Sequence, residues 1–288
     1  MDEEIINRGV YDRVIPEVIC RLVDSGERCV DVGANVGQNT SMMAVASGRE
    51  GKVWAVEPHP EVHAMLARSA ASWRDYDLAP IELVKKGLGE RRGAASLFEN
   101  ERFPGNQGLG TVIRPAVVLR EHGIEMTTLD EMLAGVGGGI GLLKIDVEGH
   151  EAAVLRGAAQ NLREGAFRDI LFEDLGPQPG ESARLLEEAG YTVVVMVTWL
   201  IGPRMHPLQR YVDGKVRGYF SFNYLATKDP DRATSRMRWP GWRCMEVRAR
   251  PFLNRRRSFP LDGLHQPVAQ PGRHQAAAKN PADGIGEV

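Results

Sequence analysis

The most constraining feature of the sequence is an alternation, between residues 27 and 227, of short β-branched runs with longer stretches of helical periodicity. This alternation is typical of βαβ units that build a parallel sheet. It predicts strands at 29–32, 53–57, 81–85, 142–146, 170–173, 192–197 and 218–225. Helices are expected at 14–23, 38–47, 60–72, 151–162 and 181–189. The pattern therefore predicts an α/β fold.

The composition is that of an ordinary globular protein: 288 residues, 43% hydrophobic and 26% charged. Cys20, Cys29 and Cys244 are too scattered for a zinc site or a disulfide framework, so a reducing compartment is expected. The N-terminus has an acidic cluster where a secretory signal would be basic, and the longest apolar stretch, 191–202, is too short to span a bilayer. We therefore expect a cytoplasmic protein.

Charge and composition suggest four segments. Residues 1–26 are expected to form a helical cover, and residues 27–227 the main domain, with an insertion or lid at 89–141. Residues 1–227 carry 24 Lys and Arg against 32 Asp and Glu, a charge of −8, whereas residues 228–288 carry 12 against 6, a charge of +6. This basic tail, rich in Pro, Gly and Arg, is expected to be disordered. It offers Trp239, Trp242 and 255–257 to an anionic partner.

A glycine-containing turn follows the first predicted strand. It contains Asp31, Gly33, Asn35 and Gly37, and a helix is expected to start directly after it. The dinucleotide fingerprint would need glycine where Asn35 and Gln38 stand, which weakens a nicotinamide reading. The spacing fits the turn that class I methyltransferases wrap around S-adenosylmethionine, and asparagine tolerates positive φ. The Asp31 carboxylate suits the ammonium group of that ligand.

A second acid supports the same interpretation. Glu57 ends the second predicted strand, twenty residues beyond Gly37. At this position a carboxylate can accept hydrogen bonds from both hydroxyls of a ribose. The turn and this acid together predict a nucleoside-containing ligand.

Further titratable groups follow the fourth and fifth strands. Asp146 ends strand 142–146, and Glu148 and His150 follow it in the turn. Ligands bind at the carboxyl ends of such strands. Glu173 and Asp174 end the next strand, so Asp146, Glu173 and Asp174 are candidate ligands for Mg²⁺. A metal-free site is favoured over this alternative. The segment after Val197 is expected to be a loop that, with the insertion, shapes the acceptor pocket.

Four motifs resemble the FkbM family of S-adenosylmethionine-dependent methyltransferases. They are VDVGANVGQNT at 30–40, WAVEPHP at 54–60, TTLDEML at 127–133 and LLKIDVEGHEAAVLRGA at 142–158. The resemblance implies a class I Rossmann-like fold, a doubly wound, mostly parallel seven-stranded sheet with an antiparallel last strand. It further implies O-methylation of a sugar, glycolipid or polyketide hydroxyl. By position, Asp31, Gly33, Asn35 and Gly37 would line S-adenosylmethionine, Glu57 its ribose, and 146–151 the reacting edge.

The chemistry of the reaction suggests catalytic roles. Methyl transfer needs close, aligned reactants, and a weakly acidic hydroxyl also needs a base or a metal. His150 has the ordinary pKa best suited to a base at neutral pH, with Asp146 and Glu148 as carboxylate alternatives. Two other functions stay open: a non-catalytic protein that keeps the cofactor fold, and an NAD-dependent oxidoreductase.

Overall fold

A computed structural model describes residues 12–99, 111–113, 115, 118–174, 180–199, 201–213 and 219–244. The helices are α1 (Val14–Leu22), α2 (Gln38–Ser47), α3 (Pro60–Ser72), α4 (Leu129–Met132), α5 (Glu151–Arg156), α6 (Ala159–Arg163), α7 (Glu181–Glu188), α8 (Leu208–Val212) and α9 (Pro230–Met237). The strands are β1 (Arg28–Val32), β2 (Lys52–Val56), β3 (Ile81–Val84), β4 (Gly87–Leu88), β5 (Gly93–Glu99), β6 (Arg120–Thr127), β7 (Ile140–Ile145), β8 (Phe167–Glu173), β9 (Thr192–Trp199), β10 (Gly202–Pro207) and β11 (Tyr219–Thr227).

The main sheet has the order β10-β9-β11-β8-β7-β1-β2-β3. Strands β3, β2, β1, β7 and β8 pair in parallel, whereas β11 is antiparallel to both of its neighbours, β8 and β9. The chain reverses its winding direction at β1, because β2 and β7 lie on opposite sides of it. The expected fold, a class I Rossmann-like sheet with an antiparallel last strand, is thus confirmed, and an eighth strand is added.

The eighth strand, β10, corrects the expectation of a loop after Val197. It pairs antiparallel with β9, from Gly202 opposite Trp199 to Pro207 opposite Val194. Gly202 has φ 130°, a conformation that glycine adopts most readily, and it begins the returning strand. A hairpin therefore forms the sheet edge where a loop was expected.

Strands β4, β5 and β6 form a second sheet, of order β4-β6-β5. Strands β5 and β6 pair antiparallel from Gly93 opposite Met126 to Glu99 opposite Arg120. Leu97, Ile124 and Met126 form a small buried cluster within this sheet. The expected insertion thus has strands and an apolar cluster of its own, while its action as a lid stays a prediction.

One expected helix, 151–162, is divided into α5 and α6. The break falls at Gly157, where a Cβ atom would lie 2.0 Å from the carbonyl oxygen of Gly89. The backbone of the second sheet therefore packs directly on Gly157. Helical periodicity alone does not reveal this contact.

The sheet buries apolar residues on both faces, as expected for a parallel sheet between helices. Adjacent residues of a strand lie on opposite faces of the sheet: Leu143 belongs to one buried cluster and Leu142 to the other. The second cluster includes the apolar stripe of α1. None of the described helices has the length and apolarity needed to cross a bilayer.

The structure continues past the boundary expected at residue 228. Helix α9 packs near α1, and Arg21 of α1 donates hydrogen bonds to the carbonyl oxygens of Met237, Trp239 and Gly241. Arg21 is itself buried and paired with Glu17, 2.6 Å away. Part of the basic segment therefore packs against the rest of the protein and is not a solvated tail. Residues 255–257 lie outside the described residues.

Candidate functional site

The site lies where β1, β2, β7 and β8 end. The backbone N–H groups of Gly33 and Ala34 each donate to the carbonyl oxygen of Val56, at 3.0 Å. Gly33 has φ 74°, and a Cβ atom there would lie 1.8 Å from the carbonyl oxygen of Asp146. Only glycine fits this contact. The turn after β1 is therefore held tightly against the ends of β2 and β7.

Two further residues of this turn adopt left-handed conformations. Asn35 has φ 51° and Gly37 has φ 98°. The side-chain oxygen of Asn35 accepts a hydrogen bond from the N–H of Val36, at 2.7 Å, which supports the strained backbone locally. A Cβ atom on Gly37 would lie 2.8 Å from both Leu66 and Trp73, so the start of α2 also packs closely. These positions explain the asparagine and glycine of the motif.

Glu57 lies directly after β2 with its carboxylate fixed by two backbone donors. Oε2 accepts from the N–H of Asn35 at 3.0 Å, and Oε1 accepts from the N–H of His59 at 2.9 Å. The residue is 7% exposed, and burial raises its pKa to about 7. The structure thus joins Glu57 to the glycine turn, while its contact with a ribose stays a prediction.

Asp31 is placed differently from its expected role. It is fully buried, its Oδ2 accepts a hydrogen bond from the hydroxyl of Thr40 at 2.6 Å, and Lys144 Nζ lies 3.2 Å from Oδ1. Oδ2 is therefore hydrogen-bonded within the protein, and Oδ1 faces the ammonium group of Lys144. This geometry supports a role in holding the turn rather than direct contact with a ligand's ammonium group.

Lys144 is the residue that sequence reasoning undervalued. Its Nζ donates to the carbonyl oxygen of Gly33 at 2.9 Å and lies 3.4 Å from Asp146 Oδ2. Burial alone would lower the pKa of Lys144, but the carboxylates of Asp31 and Asp146 raise it. The ammonium group therefore stays charged and links β1, the glycine turn and the end of β7. A lysine inside an otherwise apolar strand was the available signal.

Four carboxyl groups converge at the ends of β7 and β8: Asp146, Glu148, Glu151 and Glu173. Burial, together with repulsion from the carboxylates of Asp146 and Glu151, raises the pKa of Glu148 to about 7. Burial also raises the pKa of Glu173 to about 8, together with repulsion from the other three. We call these residues the acidic cluster. Its pKa values suit proton transfer near neutral pH.

The backbone around the acidic cluster is fixed by Glu151. Its Oε1 accepts from the N–H groups of Val147 and Gly149, both at 3.1 Å. Glu148, between them, has φ 53°, a conformation that is rare for a residue with a side chain. The turn after β7 is therefore a tight, strained loop that fixes the backbone position of Glu148.

His150 is not brought into the acidic cluster. Its ring lies against Gly89, where a Cβ atom would be 3.1 Å from Nε2. Burial lowers its pKa, and the nearby charge of Arg156 lowers it further. The neighbouring charge that acts on this ring is thus an arginine, rather than a carboxylate that would raise its basicity.

Of the three candidate Mg²⁺ ligands, Asp146 and Glu173 lie together in the acidic cluster, whereas Asp174 has a different partner. Asp174 Oδ2 accepts a hydrogen bond from the N–H of Gly180 at 2.9 Å. Among the residues that the structure describes, the group whose potential metal-ligating atoms lie close together is instead His59, Glu99 and His122. The expected metal alternative therefore receives no support from Asp146, Glu173 and Asp174.

The geometry of His59 also disfavours a metal at that group. Its Nδ1 accepts from the N–H groups of Glu61 at 3.2 Å and Val62 at 3.4 Å, capping α3. In a neutral ring Nε2 must then carry the proton, and it lies 3.0 Å from Glu99 Oε1. His122 Nε2 is 2.8 Å from the same oxygen. This contact ties the second sheet to the backbone beside Glu57.

The acidic cluster predicts an unusual pH dependence of stability. The pKa values of Glu148 and Glu173, about 7 and about 8 in the folded protein, exceed their ordinary value of 4.5. Folding therefore favours the protonated forms, and the protein should lose stability as pH rises from about 4.5 to about 8. Glu173→Gln should flatten this dependence and raise Tm at pH 8 by about 3 °C. Thermal unfolding between pH 5 and 9 measures both effects.

The matched control is Glu188→Gln, an exposed carboxyl of α7. It should leave the pH dependence unchanged. If Glu173→Gln lowers Tm equally at pH 5.5 and pH 8, the side chain serves packing, and the repulsion described above is contradicted.

Comparisons with solved structures return methyltransferases. An S-adenosylmethionine-dependent O-methyltransferase from Thermotoga maritima is 17% identical, with TM-score 0.45, over 78% of this chain and 70% of that one. An rRNA methylase from Streptococcus thermophilus is 10% identical, with TM-score 0.38, over 74% and 93%. Aeropyrum pernix fibrillarin, solved with bound S-adenosylmethionine, is 18% identical, with TM-score 0.39, over 72% and 68%. No curated protein matches the sequence.

The family itself is shown by sequence. The profile of the methyltransferase FkbM domain matches residues 31–193, more than half of the chain. The match begins at Asp31 and includes the glycine turn, Glu57 and the acidic cluster. The chain therefore belongs to the FkbM family of S-adenosylmethionine-dependent methyltransferases.

Proposed function

We propose that the protein transfers the methyl group of S-adenosylmethionine to a hydroxyl group of a sugar, glycolipid or other natural product. The observation that carries this proposal is the acidic cluster, with carboxyl pKa values of about 7 and 8, at the same sheet edge as Glu57 and the glycine turn. A hydroxyl acceptor needs a base, and this edge supplies one beside the donor site.

The donor site is assigned to the glycine turn and Glu57. S-adenosylmethionine supplies a methyl group on a positively charged sulfur. The Glu57 carboxylate, oriented by two backbone N–H groups, would accept the ribose hydroxyls. Gly33, Asn35 and Gly37 would let the ligand approach the backbone, while Asp31 holds this turn through Lys144. The negative charge of the acidic cluster favours a cationic donor.

We assign the proton acceptor to Glu148 rather than to His150. The Glu148 carboxyl has a pKa of about 7 and starts from a strained turn directly after β7. Asp146, whose side chain is 42% exposed, adjoins it and would orient the acceptor hydroxyl. His150 lies against Gly89, with its pKa lowered. The carboxylate is therefore the better placed base.

Calorimetric titration of the purified protein with S-adenosylmethionine, S-adenosylhomocysteine and NADH tests the donor assignment. Each titration is run with Mg²⁺ and with EDTA. We expect both sulfur ligands to bind with micromolar Kd, independently of Mg²⁺, and NADH not to bind. Binding of NADH alone would overturn the proposal, and binding that requires Mg²⁺ would restore the metal alternative.

A further inference from the structure

Three large apolar side chains are exposed around the β9–β10 turn and the segment after α9. Trp199 at the end of β9 is 39% exposed, Ile201 in the following turn 53%, and Trp239 after α9 63%. The N–H of Gly241 donates to the carbonyl oxygen of Ile201 at 2.8 Å, which joins the β9–β10 turn to the segment after α9. We call Trp199, Ile201 and Trp239 the aromatic surface.

The aromatic surface is held in place by buried contacts. Arg21 donates to the carbonyl oxygens of Trp239 at 2.7 Å and Gly241 at 2.8 Å. A Cβ atom on Gly202 would lie 3.2 Å from the same guanidinium group. Both segments therefore pack on one fixed side chain. Two tryptophans and an isoleucine are exposed on this rigid support although folding alone does not require it.

Positive charge surrounds these apolar side chains. The guanidinium carbon of Arg204 lies 4.5 Å from the ring centre of Trp199. Arg238 and Arg243 are exposed on either side of Trp239 in the chain. Glu17, the carboxylate paired with Arg21, is buried and does not reach the surface. The aromatic surface thus combines exposed apolar groups with arginine cations.

We propose that the aromatic surface docks onto membranes that contain anionic phospholipid. Tryptophan prefers the boundary between headgroups and acyl chains, an exposed isoleucine finds apolar surroundings there, and arginines bind lipid phosphates. A second copy of the chain would bring the same arginines against each other, whereas a membrane offers phosphate groups to the arginines and an apolar layer to Ile201. Charge and apolarity together therefore favour the lipid surface.

Vesicle sedimentation with the full chain tests this proposal. Vesicles of phosphatidylcholine alone are compared with vesicles that also contain phosphatidylglycerol, and tryptophan fluorescence is recorded in parallel. We expect binding to the mixed vesicles with a blue shift in emission, and weak binding to the neutral vesicles. Binding should fall as salt concentration rises. The double variant I201S/W239S should bind at least about tenfold more weakly.

The matched control is Met65→Ser, which removes an exposed apolar side chain from α3. It should bind vesicles as the wild type does. If I201S/W239S binds as tightly as the wild type while keeping its Tm, or if the wild type does not sediment, the proposal is overturned. A concentration-dependent dimer that the double variant abolishes would assign the surface to a second copy. Titration with S-adenosylmethionine should be the same for all variants, which separates this proposal from the proposed catalytic function.

Discussion

Glu57→Ala is expected to weaken S-adenosylmethionine binding at least about 100-fold. The carboxylate is held by the N–H groups of Asn35 and His59, and its remaining lone pairs are the proposed acceptors for the ribose hydroxyls. Loss of two hydrogen bonds to a charged group corresponds to roughly 3 kcal/mol or more. Calorimetric titration measures the change in Kd, and S-adenosylhomocysteine, which has the same ribose, should lose affinity equally.

Two further variants separate ligand contact from damage to the turn. Glu82→Ala removes a carboxylate from neighbouring strand β3, where it pairs with Lys52 on the surface, and should not change affinity. Glu57→Gln keeps one oxygen but places an N–H group opposite a backbone donor, so it should also bind weakly. Wild-type affinity in a folded Glu57→Ala protein would show that the ribose lies elsewhere.

Much of the fold follows from local sequence, because apolar periodicity reports burial directly. Helices α2 and α3 match their predicted bounds, and the seven predicted strands all exist. The predicted and observed elements differ where contacts between residues distant in sequence determine the local structure. Helix α5 gives way to α6 where Asp130 intervenes: its N–H donates to the carbonyl oxygen of Gly157, and its carboxylate accepts from the N–H groups of Gln160 and Asn161. Strand β10 depends on its pairing with β9. No local pattern in residues 202–207 predicts a strand.

Segment 228–244 shows a different limit of sequence reasoning. Its arginines predicted a solvated tail, since charged residues without aliphatic periodicity are typical of disorder. In the structure, Arg232 pairs with Asp169 at 3.1 Å and with Asp24 at 2.7 Å. These partners lie more than 60 positions earlier in the chain. The composition gives the number of basic residues but does not show which acidic residues pair with them in the folded protein.

The sequence predicts which residues of the site lie together at the ends of the strands. Because parallel strands end at one edge, Glu57, Asp146 and Glu173 could be brought together from topology alone. Side-chain direction could not: Asp31 faces Thr40 and Lys144. The ordinary pKa of histidine, near neutrality, singled out His150 as the base. The choice of base also depends on where each side chain lies and how deeply it is buried, and on both grounds we propose Glu148.

Glu148→Gln and His150→Ala are therefore expected to differ sharply in turnover. Removing the base should lower kcat about 10²- to 10⁴-fold while leaving S-adenosylmethionine affinity largely intact, because Glu148 is not assigned to the ribose. His150→Ala should keep most activity, since its ring packs on Gly89. The readout is S-adenosylhomocysteine released with a hydroxyl acceptor identified by screening sugars and glycolipids.

The pH profile makes the same distinction without relying on a single rate. With Glu148 as the base, kcat/KM should rise with pH through about 7, the pKa of its carboxyl in the free enzyme. The acceptor is varied with S-adenosylmethionine saturating, because Glu57 of the donor site also has a pKa of about 7. Under this condition His150→Ala should keep that rise, and the residual activity of Glu148→Gln should lack it. An inactive His150→Ala protein that still binds the donor, beside an active Glu148→Gln protein, would return the base to the histidine. Equal activity of both variants would mean that another member of the acidic cluster, most directly Glu173, accepts the proton.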